Sequence, residues 1–149
     1  ANREKVMTNV LGALAQSEAA MEIFREQKRG HLVMISSISA MRGMPKTMTV
    51  YAATKAFVAH LAEGIRSEMM GSPDLDITVS TIYPGYIRSE MNDKVEQKTK
   101  FMADTKTGVQ AMVAAIEKGE DNARVPAWPW EPMGIAMKHL PLKVVRKLL

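Results

Sequence analysis

A tyrosine and a lysine four residues apart are the side chains of this sequence with the clearest capacity for chemistry. Tyr51 and Lys55 enclose the segment Y-A-A-T-K. On an α-helix, residues at this spacing lie on one face, about one turn apart. The ammonium group would then stabilise the phenolate form of the tyrosine, as proton transfer to and from a hydroxyl or carbonyl group requires. Because the pair alone is a common pattern, the surrounding elements decide its meaning.

Two apolar segments end in residues suited to a ligand site. Residues 31–36 predict a strand buried on both faces of a parallel sheet, with the serine pair Ser36 and Ser37 at its carboxyl end. Residues 76–83 are rich in β-branched side chains and predict the next strand, which ends at a Pro-Gly turn. In an open α/β sheet, ligands bind at the carboxyl ends of the strands. The two strand ends and the tyrosine–lysine pair therefore predict one site.

The serine pair, the Y-A-A-T-K segment and the segment Y-P-G-Y-I-R-S that begins at Tyr83 together resemble the short-chain dehydrogenase/reductase family. The resemblance implies an α/β fold with a partial Rossmann-like, doubly wound parallel sheet. It also implies hydride transfer between NAD or NADP and a small carbonyl or alcohol substrate. In such an enzyme Tyr51 gives or takes the proton, and Lys55 stabilises the phenolate and holds the cofactor ribose. Ser37 would position the substrate oxygen.

Further site residues follow from the same resemblance. By itself, Asn9 in an apolar helical stretch would be a satisfied core or capping residue. In the family, an asparagine at this place distorts its helix and holds a water that relays protons to the lysine. The turn after the second strand would face the nicotinamide, so the cofactor-binding residues would include Pro84, Gly85, Ile87 and Ser89, besides the tyrosine and lysine. Ile87 would bind the carboxamide through its backbone, and Ser89 would contact the pyrophosphate.

The serine assignment has one competitor. Ser37 lies fourteen residues before Tyr51, one more than is most common in the family. This difference suggests an inserted residue in the following loop and makes nearby Ser39 an alternative. Ser37 is preferred because it is the second serine of the pair.

Hydrophobic periodicity predicts the elements that position these residues. A long helix over residues 1–29 is expected to end at Gly30, and a second helix is expected over residues 51–70. A third helix is expected to run from an N-cap at Thr105 to about Lys118. Its predicted buried residues are Val109, Met112, Val113 and Ile116. A last short strand is expected over residues 123–126.

Three further segments have uses that the sequence leaves open. The loop over residues 40–49 contains three methionines, which could form an apolar wall of the substrate pocket or simply pack. Residues 90–105 have the composition of a mobile substrate lid. The tail over residues 127–149 combines tryptophans with basic residues. Contact with an anionic membrane is possible, but packing is favoured because Pro141 interrupts any long amphipathic helix.

Composition excludes several classes of function. With 46% hydrophobic and 24% charged residues, the 149-residue chain is typical of one globular domain over residues 1–149. It contains no cysteine, which excludes disulfides and thiolate metal sites and suits a reducing cytoplasm. The three histidines are not at ligand spacing, so no metal site is expected. The net charge of +4 is mostly scattered, and no nucleic-acid partner is indicated.

A dinucleotide enzyme of this fold also needs a glycine-rich turn that binds pyrophosphate, and none occurs in the sequence. We therefore expect the chain to be the C-terminal part of a longer enzyme and to be inactive alone. A sheet without its first strands would expose an apolar edge and face, so the piece is not expected to be a stable monomer. The resemblance implies a homo-oligomer in which the two long helices pack against those of a second subunit. Two alternatives remain: a catalytically inert binding or oligomerisation fragment, and a peripheral membrane protein that acts through its basic tail. Substrate identity and the choice between NAD and NADP stay open, with a weak preference for a lipophilic substrate.

Overall fold

The structure of the protein is a computed structural model that describes residues 1–86 and 103–148. Its elements in chain order are α1 Asn2–Val6, a π-helical segment Met7–Gly12, α2 Ala13–Gln27, β1 Arg29–Ile35, a 3-10 turn Ile38–Met41, α3 Met48–Met70, β2 Asp76–Pro84, α4 Thr105–Glu117, β3 Asn122–Val125, α5 Ala127–His139 and α6 Leu142–Leu148.

The three strands form one parallel sheet in the order β1-β2-β3. Side chains alternate between its faces, so Leu32 and Met34 of β1 pack with Val79 of β2 against α2 and α3. On the opposite face, Ile82 of β2 packs with Ala115 of α4. Helices thus cover both faces of a parallel sheet, which confirms the predicted doubly wound α/β architecture.

The first helical stretch differs from its prediction at the C-terminal end. α2 is followed by Lys28, whose left-handed backbone (φ 61°, ψ 19°) ends the helix. The prediction that Gly30 stops the helix is wrong, because Gly30 already lies in β1. A Cβ atom at Gly30 would lie 2.2 Å from the ring of Phe24. Glycine is needed there for the close approach of an aromatic ring, and the sequence shows the glycine without showing the ring.

The helix that carries Tyr51 and Lys55 is longer than predicted at its start. α3 begins at Met48, three residues before Tyr51, so the tyrosine lies within a formed first turn. Its end at Met70, with Gly71 as the C-cap, agrees with the prediction. Phe57, Leu61 and Ile65, which are spaced four residues apart, pack against the buried side chains between α2 and the sheet.

The predicted N-cap of α4 is wrong by one residue. The side chain of Asp104, not Thr105, accepts a hydrogen bond of 2.7 Å from the backbone N–H of Thr107. Aspartate and threonine are both common at the N-cap position, and Asp104 has the extended backbone that this position requires.

The predicted buried face of α4 is also partly wrong. Val109 and Val113 are 48% and 46% exposed. Gly108 and Ala115 are buried instead, since small residues let the helix approach the sheet closely. Met112 and Ile116 are partly buried against the sheet, as expected.

The C-terminal tail packs on the body of the molecule. Its buried residues join residues of the methionine-rich loop and of α3 in a group that we call the tail cluster. This cluster consists of Ile38, Met44, Ala52, Trp130, Met137 and Val145. α5 and α6 are separated at Pro141, as predicted. Of the lid predicted over residues 90–105, residues 90–102 lie outside the described part of the chain.

Within residues 1–86 and 103–148, no helix has both the length and the apolar character needed to cross a membrane. The same residues contain no group of three or more His, Asp or Glu side chains that could hold a metal ion.

Candidate functional site

The tyrosine–lysine pair lies in the first turns of α3, beside the end of β1. Lys55 Nζ lies 5.8 Å from the centroid of the Tyr51 ring, within the range of a cation–π contact. Lys55 Nζ also donates a hydrogen bond of 3.2 Å to the carbonyl oxygen of Ile35, the last residue of β1. Both side chains are half-buried. The helix therefore presents the pair on one face, and the lysine anchors it to the carboxyl end of a strand.

Burial lowers the pKa of the Lys55 ammonium from its ordinary value, because removal from water disfavours the charged form. The Ile35 carbonyl gives this cation one acceptor, while an ammonium group has three N–H donors. No second hydrogen bond of Lys55 Nζ is formed within the described residues. The site therefore combines a partly desolvated cation with unused donors.

Asn9 is connected to the pair through a threonine of the same helix. It lies in the π-helical segment Met7–Gly12, a local widening of the otherwise α-helical stretch. Its Nδ2 donates to Thr54 Oγ1 at 3.1 Å, and Thr54 Oγ1 in turn donates to the carbonyl oxygen of Tyr51 at 2.7 Å. The structure thus places the candidate asparagine in a distorted helix, and Thr54 connects its side chain to the backbone of the candidate tyrosine.

Ser36, Ser37 and Ser39 lie close together after the end of β1, and their environments differ. Ser36 is buried, and its Oγ donates to the carbonyl oxygen of Lys55 at 2.7 Å. Ser39 is also buried, and it donates to Ser37 Oγ from both its hydroxyl (2.9 Å) and its backbone N–H (3.2 Å). Ser37 is only partly buried. Because the Ser37 oxygen accepts both bonds, its own O–H remains available to donate.

The Pro-Gly turn lies where β2 leaves the sheet. Pro84 ends β2, and the backbone N–H of Gly85 donates to the carbonyl oxygen of Val125 in β3 at 2.8 Å. The neighbouring end of β1 is joined to β2 by the bond from the Ser36 N–H to the Ile82 carbonyl, 2.8 Å long. The turn and the serines therefore share the carboxyl edge of the sheet. Ile87 and Ser89 lie outside the described residues.

Sequence reasoning missed two residues that support this site. Thr54 precedes the lysine in the Y-A-A-T-K segment, and a threonine inside a helix can bond to a carbonyl one turn earlier. Its bond to Asn9 spans forty-five positions of the chain, so no local pattern could show it. Trp130 belongs to the tail, yet its indole ring contacts Gly85 of the turn. That contact too is visible only in three dimensions.

The described residues thus define an α/β protein with a tyrosine–lysine pair at the carboxyl edge of its sheet. A family model described as short chain dehydrogenase matches residues 2–100. An uncharacterized oxidoreductase of Mycobacterium tuberculosis is 43% identical over 147 residues, which cover 99% of this chain and 56% of the relative. The chain therefore belongs to the short-chain dehydrogenase family.

Solved structures share the fold of this chain. A short chain dehydrogenase from Burkholderia cenocepacia in complex with NADP superposes with a TM-score of 0.79 at 25% identity, covering 100% of this chain and 59% of that one. A short-chain dehydrogenase from Sphingobium yanoikuyae in complex with NADPH gives a TM-score of 0.70 at 23% identity, covering 88% of this chain and 52% of that one. The present chain thus spans a little over half the length of these proteins.

Proposed function

We propose that the protein is a nicotinamide-dependent oxidoreductase that interconverts a small carbonyl compound and its alcohol. The observation that carries the proposal is the half-buried Lys55 ammonium beside the Tyr51 ring, 5.8 Å from its centroid. A cation in this position stabilises the phenolate through which a tyrosine accepts and returns a proton. The pair lies where ligands bind in open α/β sheets, and the family assignment supports the same class of reaction.

Each candidate residue has one role in this reaction. In alcohol oxidation, Tyr51 Oη takes the hydroxyl proton as the C–H bond of the same carbon breaks. In the reverse direction, Tyr51 Oη returns the proton to the carbonyl oxygen. NAD or NADP, when bound, supplies the hydride acceptor or donor. Ser37 directs its O–H to the substrate oxygen, and Asn9 supports proton exchange with Lys55.

The donor groups at the site fit a dinucleotide. Lys55 Nζ donates one N–H to the Ile35 carbonyl, so its other N–H groups can donate to the hydroxyl groups of a ribose. Pro84 ends β2 at the same edge and Gly85 follows it, where the nicotinamide ring would lie. We assign cofactor contacts to Lys55, Tyr51 and this turn, and the complex of the Burkholderia protein with NADP supports the class of cofactor. Ile87 and Ser89 stay predictions from the family pattern.

The test is the replacement of Tyr51 by phenylalanine in the full-length protein, with Tyr83→Phe as the matched control. Tyr51→Phe is expected to leave the thermal unfolding midpoint and the dissociation constant for NADH or NADPH unchanged. Turnover of a panel of ketones and alcohols, including lipophilic ones, should fall by at least about 100-fold, since general acid–base catalysis contributes that much. Tyr83→Phe should retain turnover. Normal turnover in Tyr51→Phe would remove the assignment.

We also propose that the protein assembles as a homo-oligomer through α2 and α3. Between these helices lies a groove lined by the apolar side chains of Leu14, Met21, Leu61 and Ile65. Such a surface is stabilised when a second copy covers it. Sedimentation velocity of the full-length protein is expected to show a dimer or a higher oligomer, and a monomer at micromolar concentration would contradict the proposal.

A further inference from the structure

The indole ring of Trp130 occupies the space that a side chain at position 85 would need. A Cβ atom built on Gly85 would lie 2.0 Å from Trp130 Nε1, 2.2 Å from Cε2 and 2.4 Å from Cδ1. Real Cβ atoms do not approach other atoms this closely. Any residue other than glycine at this position would therefore displace either the turn after β2 or the tryptophan.

Trp130 is itself held firmly in place. It is 1% exposed and belongs to the tail cluster, together with Met44 of the loop after β1 and Ala52, the neighbour of Tyr51 in α3. The ring of Tyr86, which follows Gly85, packs edge-on against the indole with 5.2 Å between the centroids. One aromatic side chain thus contacts the turn, while its cluster includes residues beside the catalytic pair.

The indole N–H adds a second observation. Trp130 Nε1 is buried and has no hydrogen-bond partner among residues 1–86 and 103–148. A buried unpaired donor costs free energy, and native structures normally avoid it. Trp130 Nε1 is also the atom nearest to the space that a Cβ at Gly85 would occupy, so the unpaired donor lies at the contact between ring and turn.

We propose that Trp130 is a positioning residue for the Pro84–Gly85 turn, so that the C-terminal tail forms part of the catalytic site. This inference rests on the proposed function, in which the turn lies beside the nicotinamide ring. The indole sets how far the turn stands from α3, and hence from Tyr51. Glycine is needed at position 85 because a Cβ atom there would point toward the tail and meet the Trp130 ring.

The proposal predicts reciprocal rescue between the two positions. Gly85→Ala alone forces a clash, and Trp130→Leu alone leaves the turn without its support. In the double variant the smaller leucine leaves room for the new Cβ, and the alanine methyl group fills part of the space that the indole ring occupied, so each change offsets the defect of the other. The matched control is Trp128→Leu, the same replacement at a tryptophan of α5 that is 80% exposed.

The experiment measures kcat and KM for NADH and NADPH, together with the thermal unfolding midpoint, in the full-length protein. Gly85→Ala and Trp130→Leu are expected to raise the dinucleotide KM on the order of tenfold, with a smaller change in kcat, because a small misplacement of a binding element weakens alignment. The double variant should recover most of the KM and of the midpoint lost in Gly85→Ala. Trp128→Leu should match the unmodified protein.

Three results would overturn the proposal. The first is an unchanged dinucleotide KM in both single variants. The second is a double variant whose losses equal the sum of the single losses, which would mean that glycine is required for another reason. The third is an equal loss in Trp128→Leu. Trp130→Phe, which keeps an aromatic ring in the cluster, replaces Trp130→Leu if the latter fails to fold.

Failure of the proposed function can be recognised separately. An unmodified protein that binds neither dinucleotide would refute the proposed function and, with it, the catalytic meaning of the contact. The unfolding midpoint of the double variant is measured without cofactor. Its recovery therefore tests the contact between ring and turn independently of dinucleotide binding.

Discussion

Thr54 offers a quantitative test of how the π-helical segment is joined to α3, the helix of the candidate pair. Its side chain is 3% exposed, and its hydroxyl both accepts from Asn9 Nδ2 at 3.1 Å and donates to the Tyr51 carbonyl at 2.7 Å. Valine has nearly the same volume, so Thr54→Val removes two neutral hydrogen bonds without opening a cavity. We expect the free energy of unfolding to fall by about 1 to 2 kcal/mol. The bond to the Tyr51 carbonyl contributes about 1 kcal/mol of this loss, and the bond from the half-exposed Asn9 amide contributes less.

The control and a double-mutant cycle separate this link from general effects of the substitution. Thr49 lies on the same helix and bonds to the Lys46 carbonyl at 2.8 Å, but it is exposed, so Thr49→Val should change the stability by no more than about 0.5 kcal/mol. Asn9→Ala combined with Thr54→Val should show a coupling energy of about 0.5 to 1 kcal/mol, since both changes remove the same bond.

The assay is urea unfolding followed by circular dichroism, with turnover measured on the same preparations. Turnover should fall in Thr54→Val, because Asn9 loses the partner that holds its amide near the pair. A coupling energy of zero, or equal stabilities of Thr54→Val and Thr49→Val, would refute the reasoning that the threonine joins the two helical segments.

Three further predictions concern stability. Arg66, whose side chain is 14% exposed, bonds to the Val79 carbonyl, the Thr81 hydroxyl and the Asp121 carbonyl. Arg66→Met should therefore cost about 3 kcal/mol or more in chemical denaturation, whereas Arg25→Met, which removes an exposed ion pair, should cost less than about 1 kcal/mol. Gly30→Ala should destabilise by about 1 to 3 kcal/mol through overpacking against an aromatic ring. Gly64→Ala, in open space on α3, should stabilise by up to about 1 kcal/mol in the same measurement. Because burial lowers the pKa of Lys55, the unfolded chain binds its proton more tightly, and the free energy of unfolding should rise with pH between the lowered pKa and 10.5. Lys55→Met should lose this contribution, seen as a smaller rise than in the unmodified protein when urea unfolding is repeated from pH 7 to 10.5; identical pH dependences would contradict it.

The parts of the fold that depend on local patterns could be predicted from the sequence. The apolar run before Ser36 and the β-branched run before Pro84 predicted the first two strands to within two residues. The spacing of Tyr51 and Lys55 placed both on one helix face, and the structure shows the lysine beside the ring. These features have periods of two to four residues, so the chain displays them directly.

The parts that depend on distant partners could not. Whether Val109 or Ala115 faces the sheet depends on how closely α4 can approach it, and apolar spacing alone favours the larger side chain. Gly30 looks like a helix stop until the Phe24 ring above it is known. The bond from Asn9 to Thr54 joins segments that have no shared pattern.

The methionine-rich loop and the tryptophan-containing tail each had two possible uses when considered alone, and the structure shows that they bury each other. Met44 of the loop and Trp130 of the tail lie in the same cluster, far apart in sequence and both nearly inaccessible to solvent. Met44 therefore cannot line an open substrate pocket. Deletion of the tail would also expose Ala52, next to Tyr51, so a truncated chain would lose packing against α3 along with its basic residues. Membrane binding by the tail is therefore tested by replacing Lys143 and neighbouring basic residues of α6, which lie on the exposed side of the helix. Loss of sedimentation with anionic vesicles at an unchanged unfolding midpoint would show membrane contact, and identical sedimentation would leave the tail with a packing role.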